Sequence, residues 1–410
     1  WHAAGLVALL GWILFAALPQ RLDAAFAVLG GQFALWAALL GYASASRRVP
    51  TATAVWIWAT AVRIAGLAYL PWLEDDWYRY LWDGFRMLAD ADPYAAAPAA
   101  FFRDPDVPAA FVPILSGINH PGLATIYGPA LQFLFAGAAL IQPAALWPLK
   151  LLLAGADLAL VALLGRLASR RMQWAYALCP LVVLEIGFHA HPDGIGAALV
   201  LAAAACSLHR QCLVAAVLLG VACTVKPWAL LLAPWLLRSP AALGSFALTL
   251  ALLYSPFLAG GDAGLAVLGQ VARHWQFNAP IHAALAAVIG PGSARVLVAG
   301  TLLALWLALA WRLREKQPAP GETVFGVALL LSPVVNPWYL LWVLPFASLR
   351  PFVTPWVAAA VLPLSYAHGL FLDEPALAPY EVAPAILWLE WSAIALALTR
   401  DVWRCRAVTR

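Results

Sequence analysis

The stretch EDDWYRYLWDGFRMLADADPY at residues 74–94 follows the apolar run TATAVWIWATAVRIAGLAYLP at residues 51–71. It gathers acidic, basic and aromatic side chains in a chain whose charged fraction is only 11%. An apolar run that ends in such a stretch is typical of a membrane crossing that emerges into a polar loop. We therefore expect the chemistry of this protein to lie at residues 74–94.

This stretch has the spacing of a helix that begins near Asp75. Steps of three and four residues then place acidic and basic side chains along one stripe, namely Asp76, Arg79, Asp83 and Arg86. We expect Gly84 and the Asp92-Pro93 pair to break the helix.

The composition indicates an integral membrane protein. The chain has 410 residues, of which 64% are hydrophobic, and its mean hydropathy is +0.83. A water-soluble globule could not cover so much apolar surface. Apolar runs of about 17–23 residues recur along the chain, and each is long enough to cross a bilayer as a helix. The first run begins at Trp1 and is interpreted as a transmembrane helix rather than a signal peptide.

The predicted fold is an all-α polytopic membrane bundle formed by one domain, residues 1–410. It has about 11–13 transmembrane helices, several of them broken. A long first outer loop at 72–120 carries short interfacial helices. Most of the 24 Lys and Arg residues then lie inside the cell, as the positive-inside rule requires. The expected crossings are 3–19, 24–44, 51–71, 147–166, 173–188, 193–208, 240–258, 294–311, 351–368 and 383–399, and 123–142 is expected to be re-entrant or interfacial.

Two further segments are expected to break at proline. One is TVKPW at residues 224–228, and the other is SPVVNPWY at residues 332–339. Lysine deep in an apolar run is unfavourable unless it has a function or reaches the interface. Lys226 therefore has the character of a phosphate-binding group, helped by backbone N–H groups that the break leaves free.

The acidic residues allow two interpretations. Asp75 and Asp76 are either solvated loop acids that favour a helix N-terminus or a general base at the membrane boundary. Asp157 and Glu390, isolated in apolar segments, are expected to have structural partners, whereas Glu185 should face the bundle interior.

A metal site is not predicted. His189, His191 and Asp193 are suitable ligand types, but alternate residues face the same side only in an extended chain, so a polar cavity lining is favoured. The five Cys residues show no paired spacing and indicate neither a disulfide framework nor a zinc site.

Several motifs, in this order, resemble the polytopic glycosyltransferases of the C superfamily (GT-C), especially the bacterial polyprenyl-phosphate-mannose-dependent mannosyltransferases. Two departures are Cys179-Pro180 in place of Asn-Pro and Pro192 between His191 and Asp193. The motifs that carry the resemblance are EDDWYRYLWDG at 74–84, DPY at 92–94, NHP at 119–121, TIYGP at 125–129, Glu185 with His191 and Asp193, Lys226-Pro227, Trp275 with Phe277-Asn278, and NPWY at 336–339.

The resemblance implies an inverting enzyme that transfers a sugar, with mannose favoured, from a polyprenyl phosphate to a glycan or glycolipid. Asp76 leads as general base with Asp75 second, and Lys226 with Arg79 would bind the donor phosphate. Neither a cofactor nor a nucleic-acid partner is expected. Other residues expected to bind substrate are Tyr78, Tyr80, Asp83, His120, Tyr127, Glu185, His191, Asp193, Asn278, Trp338 and Tyr339.

The resemblance also implies a location, and two other classes of protein share features of this sequence. The protein would lie in a bacterial plasma membrane with its site facing the periplasm. A polyprenyl-phosphate-linked lipid transporter or flippase would also have broken helices and buried charges. A membrane acyltransferase that uses His191 is a third class, and it would be expected to work without the two aspartates.

Overall fold

The computed structural model describes residues 1–258, 261, 263–372 and 374–408. In this part of the chain the regular secondary structure is helical. Two isolated bridges, Phe277 with Val334 and His368 with Val382, are its strand-like contacts. The all-α fold is confirmed.

The α-helices of the described residues run in the following order. They are α1 (His2–Ala16), α2 (Leu22–Ser46), α3 (Ala52–Ala65), α4 (Asp76–Asp90), α5 (Val112–Ser116), α6 (Pro129–Ile141), α7 (Trp147–Leu167), α8 (Arg170–Ala177), α9 (Pro180–Val182), α10 (Asp193–Leu208), α11 (Cys212–Val225), α12 (Ala233–Leu236), α13 (Pro240–Leu258), α14 (Leu265–His274), α15 (Pro280–Ile289), α16 (Pro291–Arg312), α17 (Gly321–Leu331), α18 (Leu344–Ala347), α19 (Thr354–Val361) and α20 (Pro384–Val408).

Short 3₁₀ and π-helical turns connect several of these helices. A π-helical turn at Val183–Phe188 continues α9. The 3₁₀ turns are Pro98–Phe101, Ala109–Phe111, Pro227–Leu232, Pro337–Trp342 and Leu362–Tyr366. The first loop, residues 72–120, thus carries the short helices expected of it.

Four of the described helices, α2, α7, α13 and α16, are long and apolar enough to cross a membrane. The segments Pro180–Phe188 and Asp193–Leu208 form a fifth candidate that is bent by 118°. Other apolar helices have 10–17 residues. The protein is therefore a polytopic helical bundle. The expected number of about 11–13 crossings would require shorter and broken helices to cross as well.

Gly84 does not break α4, contrary to the expectation from sequence. The helix continues to Asp90 and ends where Ala91 adopts a left-handed conformation with φ of 60°. Gly84 instead allows α4 to approach α6, because a Cβ atom at this position would lie 2.5 Å from the carbonyl oxygen of Phe135. The glycine serves helix packing.

Proline shortens two of the predicted crossings. The expected helix 173–188 ends at Ala177, and Pro180 begins a new short helix. The expected helix 351–368 changes to a 3₁₀ turn at Leu362–Tyr366. Proline donates no backbone hydrogen bond and clashes with the preceding turn, so both interruptions have the same cause. The α6 helix has only 13 residues, a length that suits a re-entrant or interfacial segment.

Both predicted proline breaks are confirmed, and they meet in space. The α11 helix ends at Val225, and Lys226 is extended with φ of −155° and ψ of 132°. The α17 helix ends at Leu331 before the turn that begins at Pro337. The Nζ atom of Lys226 lies 3.8 Å from the ring centre of Tyr339. The two broken helices thus bring a cation and an aromatic ring to one place.

Candidate active site

The first loop delivers three consecutive carboxylates to the site. Glu74, Asp75 and Asp76 are half-buried, and Asp76 is the first residue of α4. The Tyr380 hydroxyl donates to Asp75 Oδ2 at 3.1 Å, and the Tyr80 hydroxyl donates to Asp76 Oδ2 at 3.4 Å. Acids this close repel one another when all are charged.

Their surroundings raise the pKa values of these acids. Burial, followed by the charge of Asp76, raises the pKa of Asp75 to about 6. Burial and then the charges of Asp76 and Asp75 raise the pKa of Glu74 well above its ordinary range. Burial also raises the pKa of Asp76, whereas a hydrogen bond from Tyr127 and the charge of Lys226 act in the opposite direction. A carboxylate with a raised pKa is a better proton acceptor.

Lys226 faces Asp193 across the break in α11. Its Nζ atom donates to Asp193 Oδ1 at 2.8 Å, and 24% of the lysine side chain is exposed compared with 7% of the aspartate side chain. Trp342 Nε1 donates to the same oxygen at 2.6 Å. Because the ammonium group has three N–H donors, Lys226 can hold Asp193 and still bind an incoming anion.

The bend before α10 supplies a second polar group in the interior. The backbone N–H of His189 donates to the carbonyl of Leu184 at 2.8 Å in the wide turn. The Nδ1 atoms of His191 and His189 lie 2.8 Å and 3.3 Å from Glu185 Oε2. The Tyr366 hydroxyl donates to the same carboxylate at 2.9 Å. Glu185 therefore organises both imidazoles.

The three possible metal ligands His189, His191 and Asp193 do not form one group. Asp193 bonds with Lys226 and Trp342, whereas the histidines bond with Glu185. Two other groups have possible ligand atoms within 4.8 Å of one another. They are Glu185 with His189 and His191, and Glu74 with Asp76 and His191.

Several candidates selected from sequence lie around Asp76. Tyr80, Tyr127, Lys226 and Asp193 all act on it through charge or hydrogen bonds. Trp338 stacks on His191 with ring centres 4.0 Å apart. Lys226 contacts the ring of Tyr339, and His191 bonds with Glu185, so the group also includes these two residues.

Arg79 contacts the first loop, and its predicted role in phosphate binding stays a prediction. It is 9% exposed, and its guanidinium group donates to the carbonyls of Leu123 at 3.0 Å and His120 at 3.3 Å. This arginine fixes the loop at 120–123 against α4. These bonds do not use all five N–H donors of the guanidinium group, so Arg79 and Lys226 both stay candidates for phosphate binding.

Two other candidates form side-chain hydrogen bonds with neighbouring segments. Asp83 accepts from Gln132 at 3.2 Å, and that amide also bonds with Thr125. Asn278 donates to Glu390 at 2.8 Å and accepts from Trp391 at 3.0 Å, so its amide holds α20.

Two candidates lie on surfaces beside the site. The His120 ring is exposed and lies 4.6 Å from the ring of Trp275. The Tyr78 ring stacks on Trp77 and helps line an apolar cavity of about 770 Å³.

Sequence reasoning missed four contributors. Glu74 stood in the acidic stretch but received no role, and Tyr366, Trp342 and Tyr380 carried no local signal because their partners are 149–305 residues away.

Comparison of the chain with protein-family models, curated proteins and solved structures gives no match.

Proposed function

We propose that the chain is a membrane glycosyltransferase. It would transfer a sugar, with mannose favoured, from a polyprenyl phosphate to a hydroxyl of a glycan or glycolipid. The observation that carries this proposal is the proximity of Asp76 to Lys226. Their charges act on each other, so one site has a proton acceptor beside an anion-binding group.

The reaction needs both groups at once. Asp76 takes the proton of the acceptor hydroxyl as its oxygen attacks the anomeric carbon. The bond from that carbon to the phosphate oxygen breaks, and its electron pair leaves with the polyprenyl phosphate. Lys226 stabilises the charge that develops on the phosphate. A single displacement of this kind inverts the anomeric centre.

The cavity beside Tyr78 supports a lipid-linked donor. It is lined by apolar side chains from residues 67–70, 110–114 and 144–147 together with the rings of Trp77 and Tyr78. An isoprenoid chain requires such a lining, since burial of its apolar surface is favourable. Trp77 follows Asp76 in the chain, but neither Asp76 nor Lys226 lines this cavity. A plasma-membrane location with the site facing the periplasm belongs to the same proposal.

The test is transfer of radiolabelled sugar by the purified protein. Short-chain polyprenyl-phosphate mannose, glucose and arabinose would be supplied in turn with a membrane extract as acceptor. Wild type would be compared with Asp75→Asn, Asp76→Asn and Lys226→Ala. The matched control is Asp106→Asn, an exposed acid in the same loop.

We expect product from one donor, loss of that product with Asp76→Asn, and normal transfer by Asp106→Asn. No transfer from any donor, together with polyprenyl-phosphate binding that requires Lys226, would overturn the proposal in favour of a lipid transporter.

A further inference from the structure

One nitrogen of the buried His191 ring has no hydrogen-bond partner among the described residues. The ring is 0% exposed, and its Nδ1 lies 2.8 Å from Glu185 Oε2. Its Nε2 is buried and unbonded. A buried polar atom without a partner is rare in folded proteins and requires an explanation.

Glu185 determines which nitrogen carries the proton. Its carboxylate also accepts from the Tyr366 hydroxyl, so we infer that it acts as an acceptor towards His191. Nδ1 then carries the hydrogen, and Nε2 presents a lone pair. Stacking on Trp338, with an interplanar angle of 14°, holds the ring in this orientation.

This lone pair is close to two carboxylates. One ring nitrogen of His191 and one oxygen from each of Glu74 and Asp76 lie within 4.8 Å of one another. Since Nδ1 bonds with Glu185, we infer that Nε2 is the nitrogen in this group. Ligand atoms of a single tetrahedral cation, each about 2.0–2.2 Å from it, are separated by about 3.3–3.6 Å, so the three groups would move closer by up to about 1.5 Å on binding.

We propose that Glu74, Asp76 and His191 form a binding site for a divalent transition-metal cation, Mn²⁺ or Zn²⁺. An imidazole with two carboxylates suits these ions, whereas Ca²⁺ prefers oxygen ligands alone. A cation here would offset the mutual repulsion of Glu74 and Asp76, which lie beside each other in this group.

The hydrogen bond between Glu185 and His191 also favours metal binding. Metal-binding histidines commonly donate their other ring N–H to a carboxylate, which fixes the tautomer and increases the affinity for the metal. Three protein ligands leave a coordination position open for a substrate oxygen. The site thus differs from the metal-free chemistry that the sequence indicated.

The test measures metal binding and does not depend on transferase activity. Purified protein would be stripped with chelator and titrated with Mn²⁺, with free Mn²⁺ followed by electron paramagnetic resonance. Zn²⁺ would be measured by competition with a chromogenic chelator. We expect one site per chain and at least about tenfold weaker binding for Glu74→Gln, His191→Gln and the orienting variant Glu185→Gln.

Controls separate binding from folding. Glu322→Gln changes another buried acid, whose partner is Arg350, and it should leave metal affinity unchanged. The metal should also raise the unfolding temperature of wild type more than that of His191→Gln or Glu74→Gln. Failure of the stripped wild type to bind either ion would overturn the proposal. Unchanged affinity in Glu74→Gln would also overturn it, because the other possible group, Glu185 with His189 and His191, shares His191 but not Glu74.

Discussion

Two clusters of charged residues in this bundle differ in how well their groups are paired. In the first, Arg63 Nε donates to Asp157 Oδ2 at 2.6 Å, and Nη1 donates to the carbonyls of Ala59 and Ala177. The Tyr176 hydroxyl donates to the other oxygen of Asp157 at 2.7 Å. Arg63 and Asp157 are 1% and 0% exposed.

The second cluster, at the candidate site, has more acidic groups than its cations can pair with. Glu74, Asp75 and Asp76 lie together, while Lys226 bonds with Asp193. The side chains of Lys226 and of these acids are accessible in part. A buried ion pair with several hydrogen bonds holds helices together, whereas a half-open group with spare acceptors can bind and react. The following substitutions test this difference.

The largest effect is expected for Asp76→Asn. The amide keeps the size of the side chain but cannot accept the proton, so transfer should fall by about 10²–10⁴-fold. The unfolding temperature should change by only a few degrees, because Asp76 is half-buried and already repelled by its neighbours. Steady-state transfer and thermal unfolding of the same preparation measure both effects. Full activity would exclude Asp76 as the base.

Arg63→Ala should produce the opposite result. It leaves Asp157 as a buried charge with Tyr176 alone, and breaking one partner of a buried pair costs about 3–5 kcal/mol. Stability would be measured by thermal unfolding in detergent, with Arg103→Ala in the first loop as an exposed control. A change below about 1 kcal/mol would contradict the structural role of the first cluster.

Lys226→Ala should have an intermediate effect that appears both in the KM for the donor and in kcat, because the ammonium group binds the donor phosphate and stabilises the charge that develops on it. A hydrogen bond to a charged group contributes about 1.5–3 kcal/mol, which corresponds to a KM about 10- to 150-fold higher. Lys226→Arg should recover part of the affinity because it keeps the charge. Initial rates over a range of donor concentrations provide the measurement. An unchanged KM would remove Lys226 from phosphate binding.

Tyr380→Phe should have the smallest effect. It removes one hydrogen bond to the Asp75 carboxylate. A bond to a charged group contributes about 1.5–3 kcal/mol, but only part of this should affect transfer because Asp75 is not the leading base. We expect kcat/KM to fall by no more than about tenfold. A loss as large as that of Asp76→Asn would shift the role of base to Asp75.

Local sequence signals predicted the elements of the site well. Pro227 and Pro337 indicated the two breaks, and the structure confirms both because proline cannot continue a helix. The expected structural partners of Asp157 and Glu390 are confirmed as Arg63 and Asn278. These predictions depend on backbone chemistry or on the high free energy of an unpaired buried charge.

Long-range pairing could not be predicted from one sequence. Tyr366 reaches Glu185 across 181 residues, and Trp342 reaches Asp193 across 149 residues. Gly84 was expected to break its helix. Its packing role could not be seen in the local sequence, because the residue that it contacts, Phe135, lies in another helix. The bonds of Arg79 to the carbonyls of Leu123 and His120 could not be predicted either, because these residues lie more than 40 positions away in the chain. In each case the deciding partner is set by packing.

The most direct test of the central claim compares Asp76→Asn with Asp157→Asn, since both remove one carboxylate charge and keep the side-chain shape. Transfer from polyprenyl-phosphate mannose and the unfolding temperature would be measured for both variants and wild type. We predict that Asp76→Asn folds normally and loses transfer. Asp157→Asn should be less stable by about 3–5 kcal/mol, and its folded fraction should retain transfer. Normal transfer by Asp76→Asn, or a stable Asp157→Asn without transfer, would contradict the account.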